Sequence, residues 1–183
     1  MKEYQNKKWW ALIGVGIASF LGCIDFTIVN TALPAIQNSL HATIGELQWI
    51  INIFSLALSS FMVVMGRLAD IYGRKKVLFA GMIIFACSSL LAGCAINIQW
   101  LIFWRLIQGI ACAILYTSSG AVVSNVFPVE ERGKAMGIYF GIAFTGLAAG
   151  PVLGGLIVGA LSWRWVFLVN APIVIISLAI CTI

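Results

Sequence analysis

Six long apolar runs, separated by short polar segments, are the feature that most constrains this 183-residue chain. A helix needs about 20 mainly apolar residues to cross the hydrocarbon core of a bilayer. The runs reach that length near 9–33, 47–66, 77–97, 99–124, 134–160 and 164–183. Charged residues make up only 9% of the chain, whereas a soluble domain carries about 25%, so the apolar surface must face lipid. The sequence therefore predicts an all-α, polytopic membrane protein in which residues 1–183 form one bundle of six transmembrane helices.

Positive charge is concentrated in alternate connections between the runs. These positive residues are Lys2, Lys7 and Lys8 before the first run, Arg67, Arg74, Lys75 and Lys76 after the second, and Arg132 and Lys134 after the fourth. The connections on the other side hold only Arg164. Because cytoplasmic loops carry the excess of Lys and Arg, we predict a multi-pass protein of the cell membrane, in bacteria the inner membrane, with a cytoplasmic N-terminus.

Two charged residues interrupt the apolar runs, Asp25 in the first and Arg105 in the fourth. A charge at the bilayer centre costs about 2.5–3.5 kcal/mol on insertion scales, so both residues need a compensating role. Counted from the predicted span ends, both lie roughly 10–12 Å below the outer surface, which makes them a candidate pair. The pair could be a structural salt bridge or a substrate or proton site in a water-filled cleft. We favour the second interpretation, since intramembrane charges commonly mark transport paths.

Two amide side chains are candidates for the same pathway. Gln108 follows Arg105 by three residues and shares its helix face. Asn30 follows Asp25 by five residues, which is a looser relation. Either amide could instead hydrogen-bond a neighbouring helix, and for Asn30 we favour that role.

The connection after the second run has an unusual pattern of glycines and charges. Two glycines permit a tight turn, and an acid between them can neutralise nearby arginines. The pattern is compatible with an ordinary cytoplasmic loop that carries positive charge. It is more specific than the excess of Lys and Arg in such loops requires. The residues that form this pattern are Gly66, Asp70, Gly73, Arg74 and Lys75.

The fifth run contains glycines at four-residue spacing, which lines one helix face with small residues and allows another helix to approach closely. One series is Gly133, Gly137 and Gly141; the other is Gly146, Gly150 and Gly154, with Pro151 and Gly155 beside it. Pro151 lacks a backbone donor and should kink the helix. Static packing and a sliding surface for a moving bundle are both open interpretations.

The sequence indicates no cofactor, metal site or enzyme activity. The five cysteines lie in apolar runs without a C-x-x-C pair, and His41 is the only histidine. There is no G-x-S-x-G or H-E-x-x-H signature. The basic residues form no stripe on a soluble fold, so we expect no nucleic-acid partner.

Taken together, these motifs resemble those of the major facilitator superfamily. Residues 66–75 resemble its G-x-L-a-D-r-x-G-r-k signature, except that Ile71 stands where Arg is usual. Residues 25–34 resemble the first-span motif of drug:proton antiporters. Residues 146–155 match the fifth-span antiporter motif, which is typical of exporters.

Two further segments extend the resemblance. Arg105 and Gln108 match the fourth-span motif, in which the Arg is linked to proton coupling, although Ala111 replaces a common Gly. Residues 163–172, which include Asn170, are most similar to the opening of the sixth span in the fourteen-span multidrug export branch.

The resemblance implies the N-terminal bundle of a fold that has two six-helix bundles. It also implies an antiporter that exports drug-like or cationic small molecules in exchange for protons. Because the bundles of this family rock against each other, the resemblance further implies that residues 66–75 form a conformational latch on the cytoplasmic side, with Asp70 as its key residue, exposed or paired with a local Arg or Lys. The implied partners are the lipid bilayer, the substrate, protons and a second bundle that is absent from these residues. The alternative is a truncated, non-transporting membrane protein that only associates with other membrane subunits.

Overall fold

A computed structural model describes the backbone of residues 2–182 and the side chains of residues 8–181. The side chains of Lys2 and Lys7, and residue Ile183 of the last predicted span, lie outside the described residues. The helices are α1 (Lys2–Leu40), α2 (Ile44–Tyr72), α3 (Arg74–Gly93), α4 (Ile98–Val126), α5 (Val129–Ala160), α6 (Trp165–Leu168) and α7 (Asn170–Thr182). Among these residues, α1 to α5 are each long and apolar enough to cross a membrane, and a shorter apolar stretch, Trp165–Cys181, follows them. The all-α, polytopic fold predicted from the sequence is confirmed.

The polar segment between α2 and α3 is largely helical, whereas the sequence predicted a loop with two turn-forming glycines. Helix α2 continues to Tyr72 and α3 begins at Arg74. Only Gly73 separates them, with a φ of 98°, a conformation that glycine adopts without steric cost. Gly66 lies inside α2 and faces Thr117 of α4, so its predicted role in the turn is wrong.

The sixth apolar run forms two helices instead of the single span predicted. The short α6 ends at Leu168 and α7 begins at Asn170. Pro172 has no backbone N–H, so the carbonyl of Leu168 lacks the donor that would continue the helix. The break follows from that missing hydrogen bond.

Helix α5 packs against α1 through one of its two glycine series. Gly146 faces the backbone of Phe20 and Ile24, and Gly150 and Gly154 contact the next two turns of α1. The first series faces open space, as does Gly155, while Pro151 is exposed within the helix. Close helix contact therefore explains the second series alone: Gly146, Gly150 and Gly154.

Replacing Gly146 by alanine should destabilise the bundle. The added methyl group would lie 2.7 Å from the carbonyl oxygen of Phe20 and 3.0 Å from the nitrogen of Ile24, and backbone atoms cannot turn aside as a side chain can. We expect a loss of about 1–3 kcal/mol, measured by denaturant unfolding in one detergent. Gly155→Ala is the matched control, because nothing lies within 4 Å of its added methyl group. Equal stability of the two variants would contradict the packing role.

Candidate functional site

A layer of polar side chains crosses the interior of the bundle between two apolar clusters. One cluster extends toward the end of the bundle that holds Leu12 and Phe127, and the other toward the end that holds Ile36 and Trp163. Each residue of the layer is at most 1% exposed. The residues of this polar layer are Asp25, Ser89, Arg105, Gln108 and Asn170.

The ion pair between Arg105 and Asp25 lies at the centre of the polar layer. Arg105 Nη1 donates to Asp25 Oδ2 and, at 3.0 Å, to Gln108 Oε1. Arg105 Nε donates to the carbonyl of Ile50 on α2 at 3.3 Å. The guanidinium also stacks over the ring of Phe54, 4.1 Å from its centroid. These contacts place Arg105 in the bundle interior, in contact with the first helix.

The other carboxylate oxygen of Asp25 accepts from two amides. Gln108 Nε2 donates to Oδ1 at 3.0 Å and Asn170 Nδ2 donates to it at 3.1 Å. Both amide nitrogens also donate to Ser89 Oγ, at 3.2 and 3.0 Å. Ser89 in turn donates to the carbonyl of Phe167 at 2.7 Å. Every partner of the Asp25 carboxylate is a donor, so the arrangement matches the ionised acid.

The polar layer differs in membership from the pathway predicted from the sequence. Asp25, Arg105 and Gln108 come together, but Asn30 does not join them. Asn30 is exposed and donates to the carbonyl of Phe26 in its own helix at 3.3 Å, so the predicted bond to a neighbouring helix is wrong. The pair also lies in no water-filled cleft, since its two side chains are 0% and 2% exposed.

Sequence reasoning did not assign Asn170 and Ser89 to the site. Asn170 fell inside a recognised motif of the sixth run, and Ser89 stands in a serine pair in the third. An amide within an apolar run is itself a signal, since a buried polar group needs a partner. Which helix faces meet cannot be read from spacing within one run, so the partner could not be assigned.

Two of the predicted latch residues, Asp70 and Arg74, form a local charge cluster at the α2–α3 junction. Asp70 Oδ1 accepts from Arg74 Nε at 3.1 Å and from Nη2 at 3.0 Å. Arg74 Nη1 also donates to the carbonyl of Ala121 on α4 at 3.0 Å, and the Lys75 ammonium lies 5.5 Å from the centroid of the Phe79 ring. The Asp70 side chain is 50% exposed. Asp70 therefore has a local arginine partner while half of its surface is available for another contact.

A largely apolar cavity of about 440 Å³ opens between α1, α2, α4 and α5. Phe26 lines it, one residue after Asp25, and its ring centroid lies 6.3 Å from that of Phe54, on which Arg105 stacks. The cavity and the polar layer therefore meet at α1. Other lining residues are Cys23, Met62, Tyr116, Tyr139, Phe140 and Phe144.

The fold and this interior ion pair define a multi-pass membrane protein of helical bundle type. The family model described as Major Facilitator Superfamily matches residues 15–183. The chain belongs to the Major Facilitator Superfamily.

Curated relatives agree with this assignment. The puromycin resistance protein pur8 of Streptomyces alboniger is 36% identical over 96% of this chain and 35% of its own length. The multidrug transporter protein MdtP of Bacillus subtilis is 35% identical over 94% of the chain and 32% of its own length. The riboflavin transporter RibZ of Clostridioides difficile is 33% identical over 94% of the chain and 38% of its own length. The chain thus spans about a third of the length of these relatives, which are named as transporters or resistance proteins, not as enzymes.

A solved structure shows the same fold. A bacterial homologue of the human lysosomal transporter Spinster superposes with a TM-score of 0.77 at 20% identity. The match covers 95% of this chain and 42% of that protein.

Breaking the ion pair from one side should cost more than removing it entirely. Arg105→Gln leaves the Asp25 charge buried without its cationic partner, which typically costs about 3–5 kcal/mol. The double variant Asp25→Asn/Arg105→Gln removes both charges and should recover a large part of that loss. Unfolding free energies of both single variants and the double variant measure the coupling. Additive losses would show that the two side chains do not stabilise each other.

Proposed function

We propose that this chain is the part of a proton-coupled exporter that holds the proton-binding acid, and that the exported molecules are apolar or cationic drug-like compounds. The observation that carries the proposal is Asp25, an acid buried at the centre of a helical bundle. The other acidic side chains of the described region, Glu46, Asp70, Glu130 and Glu131, lie near helix ends. Intramembrane acids of this kind are typical of proton pathways.

Protonation of Asp25 would change the contacts between helices. The ionised carboxylate holds α1 against α4 through Arg105 and Gln108, and against α7 through Asn170. A neutral acid attracts the guanidinium less and offers one fewer acceptor. Proton binding therefore loosens α1 from two neighbours, which can shift the balance between two conformations of a transporter.

The apolar cavity supplies a wall for substrate binding. Its aromatic side chains offer flat apolar surface, and ring faces attract cations. Asn30 lies four residues after Phe26 and therefore on the same face of α1. We assign Asn30 to this substrate wall and not to the proton-binding centre.

Phe26 and Phe54 link the two parts of the proposal. Phe26 lines the cavity, Phe54 contacts Phe26, and Arg105 stacks on Phe54. A cation that binds beside Phe26 would raise the positive potential near Arg105, and it would thereby favour release of a proton from Asp25. This competition would exchange a proton for a substrate cation.

A second bundle is part of the proposal, because this chain spans about a third of its relatives' length. We place the N-terminus in the cytoplasm on the pattern of positive charge, in a cell membrane whose lipid surrounds the bundle. A non-transporting fragment remains the alternative, but no contact in the described region favours it.

Asp25→Asn should abolish proton-coupled export while the protein still folds. The amide keeps the shape of the side chain but cannot exchange a proton at neutral pH. Efflux of tetraphenylphosphonium driven by an imposed pH gradient, in vesicles that contain the chain together with its second bundle, should fall at least about tenfold, the effect of 1.4 kcal/mol.

Glu46→Gln is the control for this experiment. It neutralises an acid in the capping box of α2, where glutamine can take the same position. Its efflux should match the unmodified protein. Unchanged coupling in Asp25→Asn would remove Asp25 from the mechanism.

We further propose that the charge cluster at the α2–α3 junction is a conformational latch. Arg74 joins Asp70 on α2 to the carbonyl of Ala121 on α4, so the cluster ties three helix ends together. The exposed half of Asp70 can contact a second bundle in one conformation and release it in the other. A surface charge contact of this kind is weak enough to be broken during each cycle.

Asp70→Asn should lower transport and leave substrate binding intact. Binding of tetraphenylphosphonium by equilibrium dialysis and its efflux from vesicles are compared in the same preparation. Lys76→Gln changes an exposed charge of the same segment and should affect neither measurement. Loss of binding as severe as the loss of transport would place Asp70 in the site or the fold, and not in a latch.

A further inference from the structure

We propose that Asn170 is a positioning residue that sets the proton affinity of Asp25 and changes its hydrogen bonds when Asp25 becomes protonated. The inference rests on the proposed function, since it assumes that Asp25 exchanges a proton. With Asn170, the proton-binding centre includes α7 and the helix break before it, in addition to α1 and α4.

The first observation is the geometry of the Asn170 amide. Its nitrogen donates to Asp25 Oδ1 at 3.1 Å and to Ser89 Oγ at 3.0 Å, and the residue is 1% exposed. Asn170 is thus one of three donors to the carboxylate, and it belongs to a different helix from the other two, Arg105 and Gln108. Each donor stabilises the ionised form of the acid.

The second observation is the other end of the same amide. Asn170 Oδ1 is buried and accepts no hydrogen bond from the residues that the structure describes. A buried acceptor without a hydrogen bond is unfavourable. The amide therefore keeps this orientation because its nitrogen donates to Asp25 and Ser89. The reverse orientation would direct Oδ1 at an ionised carboxylate oxygen, where two acceptors repel.

Protonation of Asp25 reverses this preference. When a hydronium ion transfers a proton to Asp25 Oδ1, one of its O–H bonds breaks and water leaves, while a new O–H bond forms on the carboxyl oxygen. That oxygen then donates a hydrogen bond and is a weaker acceptor than before. That O–H then confronts the N–H of Asn170, and two donors cannot bond each other. Turning the amide over presents the orphaned Oδ1 to the new proton. The amide orientation therefore depends on the charge of Asp25.

The third observation is the position of Asn170 in the chain. It is the first residue of α7, directly after the break at Val169. The carbonyl of Phe167, on the other side of the break, accepts from Ser89, which is itself a partner of Asn170. A change at Asn170 thus acts on backbone that lacks one helical hydrogen bond and can move at lower cost than a continuous helix.

Few other groups could titrate in place of Asp25. Helix α4 places Arg105 against it and the thiol of Cys112 nearby. Helix α2 contributes the Ile50 carbonyl and the Phe54 ring, which do not titrate, and Ser89 and Asn170 are neutral. Arginine keeps its charge across the working range and a neutral thiol adds none. A carboxylic acid signal from the layer therefore reports Asp25.

Infrared spectroscopy tests the inference without measuring transport. The carbonyl band of a protonated carboxylic acid is followed against pH for the chain in lipid vesicles, and the part lost in Asp25→Asn is assigned to Asp25. In Asn170→Leu the band should appear at a pH about one unit higher, because one donor to the ionised form is gone.

Two more variants complete the design. Asn170→Asp keeps the shape of the side chain and places a second carboxyl group beside Asp25. Because two adjacent carboxylates repel each other, one of the two groups should stay protonated to a still higher pH. This variant also provides the test if Asn170→Leu does not fold. Asn38→Leu is the control, because Asn38 lies on the same helix as Asp25 but is exposed and thirteen residues away, about 20 Å along the helix. Its titration should match that of the unmodified chain.

Each outcome decides a different part of the proposal. Upward shifts in the Asn170 variants, with none in the Asn38 variant, support the positioning role. An Asp25 band that titrates at the same pH with or without the Asn170 amide overturns the inference and leaves the proton site intact. The absence of any Asp25-dependent band in the unmodified chain overturns both the inference and the proposed function.

Discussion

The buried contact between Asp25 and Arg105 is the interaction on which the arrangement of this bundle depends. Two charges removed from water each cost several kcal/mol, so the pair persists only if hydrogen bonds satisfy its remaining atoms. Those bonds come from α2 through the Ile50 carbonyl, from α4 through Gln108 and from α7 through Asn170. The requirement to compensate one acid therefore fixes the relative positions of four helices where apolar packing alone would allow sliding.

Helix α1 connects the features that the proposed function needs. One face carries Asp25 into the polar layer, and another packs against the glycines of α5. A third face presents Phe26 to the apolar cavity. A change of charge at Asp25 can therefore reach the cavity wall through one rigid element and the ring of Phe54. The close glycine contact holds α1 directly against α5.

The sequence contained enough information for the helices and for the central pair, because charges in apolar runs are costly and must meet. The predicted depth of Asp25 depends on a first span that ends at residue 33, whereas α1 continues to Leu40. Hydropathy identifies only the apolar part of a helix. It therefore predicts neither the true helix ends nor the near-continuous junction between α2 and α3. The exclusion of Asn30 and the inclusion of Asn170 depend on how the helices are rotated against one another, which the spacing within a single run does not encode.

Proton exchange at Asp25 is tested most directly by measuring proton release when a cation binds. Tetraphenylphosphonium is added to the purified protein, complete with its second bundle, in a weakly buffered solution at a pH where the Asp25 acid band is present. The account predicts acidification that saturates with binding and is absent in Asp25→Asn. Equal acidification by the unmodified protein and by Asp25→Asn, with cation binding intact in both, would contradict it.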